Sequence, residues 1–197
     1  MNMGGNTSES IRTKKLSCKT GLWSLTKLLT VLVIFGIVIR GFLFTNYVVY
    51  GQSMMPTIND GERIIVNKID YELVAPARFD LIIFHASEQS DYIKRIIGLP
   101  GDTLKYENDT LYINGEAQEE AFLEDYKKTH ESGVFTENFT LEQVTGETEI
   151  PEGYVFVLGD NRQNSVDSRH IGFVPIEEIV GKANITFWPL TNIRLLS

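Results

Sequence analysis

The sequence predicts a mainly β fold, in which one N-terminal apolar helix precedes an antiparallel β-sheet domain. Three observations lead there. A single long apolar run stands near the N-terminus, short apolar or alternating segments recur through the rest, and turn formers separate those segments. At 197 residues the chain has room for one such helix and one domain of ordinary size. Cys18 is the single cysteine, so neither an intrachain disulfide framework nor a multi-cysteine zinc site can hold the fold together.

The apolar run covers the 18 residues 22–39, of which only Lys27 is charged. That is near the roughly 20 residues a helix needs to cross a bilayer. Lys27 near its start and Arg40 just past its end are placed where long basic side chains reach the headgroups. A cleavable signal peptide has a similar pattern, but no small-residue A-x-A site follows; the run continues into Phe42, Phe44, Tyr47, Val48, Val49 and Tyr50. We therefore expect a cytoplasmic tail over 1–21, a transmembrane anchor over 22–44 and a domain over 45–197. Residues 1–40 carry a net charge of +5, which keeps them on the inner side and puts the domain on the outer face of a single-pass protein in the cell membrane. The lipid bilayer is then one partner. Residues 41–197 carry −13, which repels phosphate backbones and excludes nucleic acid as a partner class.

Strands are expected at Arg63–Asn67, Asp80–His85, Tyr92–Gly98, Thr103–Tyr106, Thr110–Ile113, Tyr154–Leu158 and Val180–Phe187. Glu107-Asn108-Asp109 and Asn114-Gly115 bracket a short strand and predict hairpins, and Pro100-Gly101-Asp102 marks another reversal. Residues 116–149 are acidic and polar with few strand signals; the stretch reads as a surface insertion, with a short helix over Glu119–Lys128.

Three segments are richer in chemistry than a scaffold requires. Gly51-Gln52-Ser53-Met54-Met55-Pro56-Thr57 places a serine in a turn just after the apolar run, although a serine between glycine and proline is more often a turn residue. Tyr92–Asp102 places Lys94 inside an apolar strand, sharing a face with Tyr92 and Ile96. On an edge strand such a lysine merely faces water; if buried, it loses solvation, its pKa falls and the neutral amine becomes a base. Gly159–Arg169 is a dense polar loop directly after a strand, able to offer a hydroxyl to a lysine amine and an Asp–Arg pair to hold itself.

A hydrolase needs a nucleophile, a base and oxyanion donors. His85, His130 and His170 lie in no recognisable triad motif, which leaves lysine as the available base. Zinc-protease H-E-x-x-H, phosphate-binding P-loop and G-x-S-x-G motifs are missing from the sequence.

Taken in order, the N-terminal apolar run, S-M-M-P-T at 53–57, R-I-I-V-N-K at 63–68, Y-I-K-R-I-I-G-L-P-G-D at 92–102 and G-D-N-R-Q-N-S-V-D-S-R at 159–169 closely resemble bacterial type I signal peptidases, in their single-anchor Gram-positive form. The resemblance spans roughly Arg40 to Phe187. It implies an antiparallel β-sheet catalytic domain of the signal peptidase type and a serine endopeptidase that removes signal peptides from secretory preproteins after small residues at −3 and −1. Ser53 would be the nucleophile and Lys94 the general base. Ser165 would orient the amine, while Asp160, Asp167 and Arg169 would hold the loop. Gly51, Gln52, Met54 and Pro56 would form the substrate and oxyanion region, with the Ser53 N–H as one donor. The second donor in some members is a serine hydroxyl two residues before the nucleophile; here that position is Gly51. Gln163 stands where many relatives carry aspartate. No metal or cofactor is implied, and the translocation machinery is a candidate partner.

Two other enzyme classes share features of the pattern. Self-cleaving Ser/Lys repressor-type proteases use the same pair but not an N-terminal apolar anchor. Penicillin-binding proteins carry S-x-x-K and K-T-G, matched here by Ser24–Lys27 and Lys19–Gly21 in reversed order and in or before the apolar run. An inactive anchored β domain that binds partners is the non-enzymatic alternative.

Overall fold

The computed structural model describes residues 23–37, 41, 43–68, 74–129 and 134–196. The chain divides into two units, Met1–Leu43 and Phe44–Ser197. In the first, residues 23–37 form helix α1, whose apolar side chains, Trp23, Leu25 and Leu29 among them, are exposed. Among the described residues no helix is long and apolar enough to cross a membrane. The expected tail and residues 22, 38–40 and 42 of the expected anchor lie outside the described residues. One boundary is corrected: Phe44 opens a strand instead of closing the helix, because Phe44–Val48 alternates between more and less exposed side chains and pairs residue for residue with Arg63–Asn67.

The second unit is built from antiparallel strands. Its larger sheet contains β1 (Phe44–Val48), β2 (Arg63–Asn67), β3 (Leu81–Ser87) and β4 (Ser90–Gly98). A smaller sheet follows from β5 (Leu104–Glu107), β6 (Thr110–Ile113), β7 (Glu116–Gln118) and β8 (Phe139–Thr140). The chain then returns to the larger sheet with β9 (Tyr154–Leu158), β10 (Val174–Pro175), β11 (Ile179–Trp188) and β12 (Arg194–Leu195). Short helices α2 (Glu124–Thr129), α3 (Leu141–Thr145) and α4 (Ser168–Ile171) lie between. The larger sheet runs β1-β2-β11-β3-β4-β9-β10, with β12 added on β11, and the smaller runs β7-β6-β5-β8.

Burial explains which strands the sequence displays most clearly. Leu81–Phe84 and Val155–Leu158 are unbroken buried runs, as befits strands with neighbours on both sides. The hairpin turns are also as expected: Asn108 and Asp109 have φ of 51° and 61°, and Asn114 and Gly115 have 53° and 84°, the left-handed pair that a two-residue hairpin loop requires. β7, β8, β10 and β12, two or three residues each, are too short for any periodicity to show.

The reading of 116–149 as a surface insertion needs correction. Leu123, Phe135, Phe139 and Leu141 are buried, and Phe139 and Leu141 belong to the core of the smaller sheet with Tyr106, Leu111 and Phe156. The acidic residues between them hid that pattern. Helix α3 also carries a full capping box, Thr140 accepting from the Gln143 N–H and Gln143 from the Thr140 N–H.

β11 runs between β2 and β3, and its closest approach falls at Gly181, where a Cβ would lie 2.9 Å from both the Asn67 carbonyl carbon and Val66 Cγ1. Those are parts of a central strand and cannot swing aside. Gly181→Ala should lower the unfolding free energy by about 1–3 kcal/mol, the usual cost of overpacking; an unchanged urea midpoint would show that the sheet yields there.

Candidate active site

Ser53 sits in the turn that follows β1. Val49 closes the base of this loop, donating its N–H to Glu62 O at 2.9 Å and accepting from Gly61 N–H at 2.9 Å. Met54, only 1% exposed, is buried in the core with Ile58 and Ile64, so the turn is anchored from beneath while Ser53 stays half-buried. Arg194, near the C-terminal end, donates to Thr57 O and to Glu62. Burial pushes the Glu62 carboxyl up, but Arg194, Asn192 and Asn59 hold it at about 2. Being lowered, this group stabilises the fold above the ordinary carboxylate range and ceases to do so as pH falls through about 2.

Lys94 lies on β4, paired with Ile82 of β3 and one residue before the pairing with β9 begins, and its burial shows that it is not the water-facing lysine of an edge strand. It is 4% exposed, and its Nζ stands 2.8 Å from Ser53 Oγ and 3.0 Å from Ile93 O. Burial brings the amine down to about 8, against the opposing pull of Asp167 and Asp160. The pair is therefore a hydroxyl in contact with an amine that is partly neutral near physiological pH.

The 159–169 loop is tied to this pair by its backbone. Asn161 donates its N–H to Ser53 O at 3.0 Å and its side-chain amide to Gln52 O at 3.1 Å. Asp160, fully buried, takes two bonds from Arg95, Nε at 2.9 Å and Nη2 at 2.8 Å, and a third from Thr57 Oγ1. Asp167 accepts from Arg169 Nε at 2.8 Å and from the Gly159 N–H at 3.0 Å. Burial pushes the Asp167 carboxyl up, and Arg169, the Gly159 N–H and the nearby Ser165 outweigh it, so it lies below its ordinary value. Arg169 also donates to Arg162 O at 2.7 Å. Ser165 is buried, and its Oγ makes no well-formed hydrogen bond among the described residues.

A cavity of about 320 Å³ opens beside Ser53 and Lys94. One wall is the end of β1, Tyr47 and Val48, continuing into Val49–Gln52; another is Asp91–Ile93 of β4; Asn164 and Val166 close it from the loop, and Ile64 and Ile83 line it. β1 ends the sheet order, and β4 pairs with β9 only from Arg95 onward. Both walls thus offer backbone to an extended peptide, the arrangement used in strand addition. Gly51 and Gln52 line this cavity, but Met54 and Pro56 do not: Met54 is drawn into the core, and Pro56 lies in a separate depression with Thr57 and Phe122.

Ser53, Lys94, Ser165, Asp160, Asp167 and Arg169 are thus brought to one place. Sequence reasoning gave no role to Arg95, Thr57, Gly159 or Arg162. Arg95 had a signal, a second basic residue inside an apolar strand, and a buried arginine requires an acid such as Asp160. Gly159 had none. A Cβ at that position would lie 2.6 Å from Ser53 O and 2.6 Å from Ser165 Cβ, so the loop approaches the serine turn as closely as it does only because residue 159 has no side chain.

Most of the chain is similar to known proteins. The family model for "Signal peptidase, peptidase S26" matches residues 22–188. Signal peptidase I of Bacillus caldolyticus is 54% identical over 151 residues, covering 77% of this chain and 83% of the relative. Signal peptidase IB of Staphylococcus aureus strain Mu50 is 40% identical over 162 residues, covering 80% and 84%. The crystal structure of a signal peptidase I from Enterococcus faecalis V583 superposes with a TM-score of 0.51 at 44% identity, covering 54% of this chain and 95% of that one.

Two outcomes follow from the geometry. Gly159→Ala should lower kcat by about a hundredfold, the cost of moving reacting groups by an ångström; full activity in the folded variant would show that the close approach is dispensable. Because the Lys94 amine is lowered in the folded chain, burying it destabilises the fold below about pH 8, and the penalty disappears as pH rises toward 10.5. Lys94→Met should therefore raise the unfolding free energy at pH 7 by up to about 3 kcal/mol, with the gain fading at alkaline pH. A gain independent of pH would point to packing instead.

Proposed function

This chain belongs to the signal peptidase family, peptidase S26, and is a serine endopeptidase that removes signal peptides; on that premise we propose that Ser53 is its nucleophile and Lys94 its general base. The observation that carries the assignment is the 2.8 Å contact between Ser53 Oγ and a buried amine lowered to about 8. In the neutral state the amine lone pair accepts the Ser53 O–H. Ser53 Oγ attacks the carbonyl carbon of the −1 residue, and the tetrahedral oxyanion receives the Ser53 N–H, which no acceptor among the described residues takes up. The protonated amine gives its proton to the departing amide nitrogen, releasing the mature protein and leaving the signal peptide as an ester on Ser53. Lys94, neutral again, activates the water that hydrolyses it.

Asp160, Asp167 and Arg169 hold the loop against the serine turn in this reading. Ser165, whose hydroxyl lies beside Gly159 and near Asp167, orients the amine. The preprotein lies in the cavity beside Ser53 as an added strand, with a small side chain at −1 against the serine. Residues 22–43 anchor the enzyme in the bilayer, with 1–21 in the cytoplasm and the domain from Phe44 onward on the outer face; the apolar run and the basic tail support this.

Cleavage of a preprotein bearing an A-x-A site by the full-length enzyme tests the assignment. Ser53→Ala and Lys94→Ala should each lower kcat/KM by about a thousandfold or more. Lys94→Arg should fail as well, since a guanidinium keeps its proton. For the wild type, kcat/KM should rise with pH and level off above about 8. A profile flat across that range would remove Lys94 as the base.

A further inference from the structure

Behind the active-site loop lies a buried cluster of titratable groups that takes no part in acyl transfer. Tyr106, Arg162 and Glu120 are 1%, 2% and 5% exposed. Arg162 Nη2 donates to Glu120 Oε1 at 2.6 Å and Nη1 to the Tyr106 hydroxyl, while that hydroxyl donates to the same Glu120 oxygen at 2.6 Å. Lys127 Nζ supplies Oε2 at 3.1 Å. Burial pushes the Glu120 carboxyl up, and Arg162, Tyr106 and Lys127 pull it below its ordinary value, so the cluster is ionised.

An apolar pair of similar volume often holds two segments together as well as a buried ion pair does. It cannot aim a further hydrogen bond. Arg162 Nε donates to Gly159 O at 3.0 Å, and Gly159 is the residue on which the Ser53 carbonyl and Ser165 converge. Two residues beyond Glu120, the Phe122 ring centre lies 3.9 Å from the Arg95 guanidinium, the group that grips Asp160. Phe122 also packs on Phe79, ring centres 5.3 Å apart, whose carbonyl takes another bond from Arg95 at 2.8 Å. The short segment 120–122 thus reaches both arginines that fix Gly159 and Asp160, two successive residues of the loop.

We propose that Glu120 and Phe122 are positioning residues of the protease, acting through Arg162 and Arg95 to set the loop against Ser53 and Lys94. The inference rests on the reading of those two residues as the catalytic pair. It gives the 116–149 stretch a role in the chemistry, although none of its described residues bonds to the nucleophile or the base.

The experiment is steady-state cleavage of an A-x-A preprotein by the full-length enzyme in detergent, comparing wild type, Glu120→Gln, Phe122→Leu, Phe122→Tyr and Ser53→Ala, with thermal unfolding measured on each. Rates are expressed per molecule able to be labelled by a serine-acylating probe, and for Ser53→Ala per molecule of folded protein. Glu120→Gln and Phe122→Leu should lower kcat by about 10- to 100-fold with KM changed by less than about threefold. Phe122→Tyr, which keeps the ring over the guanidinium, should recover most of the loss. Lowered melting temperatures with kcat per active molecule unchanged would overturn the proposal, reducing the cluster to a structural brace. Should Glu120→Gln fail to fold, Phe122→Leu and its tyrosine counterpart decide the question alone. A Ser53→Ala enzyme that still cuts would instead sink the catalytic pair itself, whereas an inactive Ser53→Ala beside unimpaired Glu120→Gln and Phe122→Leu would overturn only the positioning role.

Discussion

An amine can serve as a base near neutral pH only if water is kept from it, and much of this domain keeps water from Lys94. The residue occupies a strand with neighbours on both sides, shares its register position with Ile82 of β3 and is followed by the wholly buried run Arg95–Gly98. Burial makes the ammonium costly. Asp160 and Asp167 lie near enough to oppose that effect, yet each is already committed to an arginine, Arg95 or Arg169. The carboxylates are therefore held where they moderate the amine without closing a salt bridge on it. A direct Asp–Lys pair would keep the amine protonated and disable it as a base.

The same arrangement explains why the loop after β9 is so polar. It has no long element of its own and follows the serine turn over only a few residues. Its position is therefore fixed by directed bonds: Asp160 to Arg95, Asp167 to the Gly159 N–H, Arg162 to Gly159 O, Asn161 to the serine carbonyl. Buried charges of this kind contribute little to net stability once desolvation is counted, and their value lies in geometry. Burial of Arg95, Asp160, Arg162 and Asp167 together is tolerable because every one of them has an opposite charge within hydrogen-bond reach.

Residues visible in the sequence were those whose type conflicts with their surroundings. Lys94 stands out in an apolar strand, and Ser53 stands out once its neighbours are read with it. The long strands appear either as a period of two, as in Arg63–Asn67, or as an unbroken apolar run, as in Tyr154–Leu158. Glu120 was hidden for the opposite reason: among Glu116, Glu119 and Glu124 an acidic residue looks like solvated surface, and its burial depends on Arg162, 42 positions away. Met54, expected in the substrate region, is buried in the core, because sequence adjacency to Ser53 does not reveal that successive side chains of a tight turn point in different directions. Phe44 was joined to the apolar helix because helix-facing and strand-facing apolar residues look alike when one follows directly on the other.

The order of strands has a consequence for how the enzyme comes into being. β11 lies between β2 and β3, and Arg194 closes the loop that carries Ser53. Both follow Lys94 in the chain by 85 residues or more. The strands bearing the serine turn and the lysine emerge long before the strand that joins them, and pairings at such separation form late and slowly. A chain translated only as far as Lys94 thus has both residues of the proposed catalytic pair but lacks the strand that joins β2 to β3, so the site assembles only after β11 has emerged. A premature stop before Ile179 leaves those two strands without the partner between them.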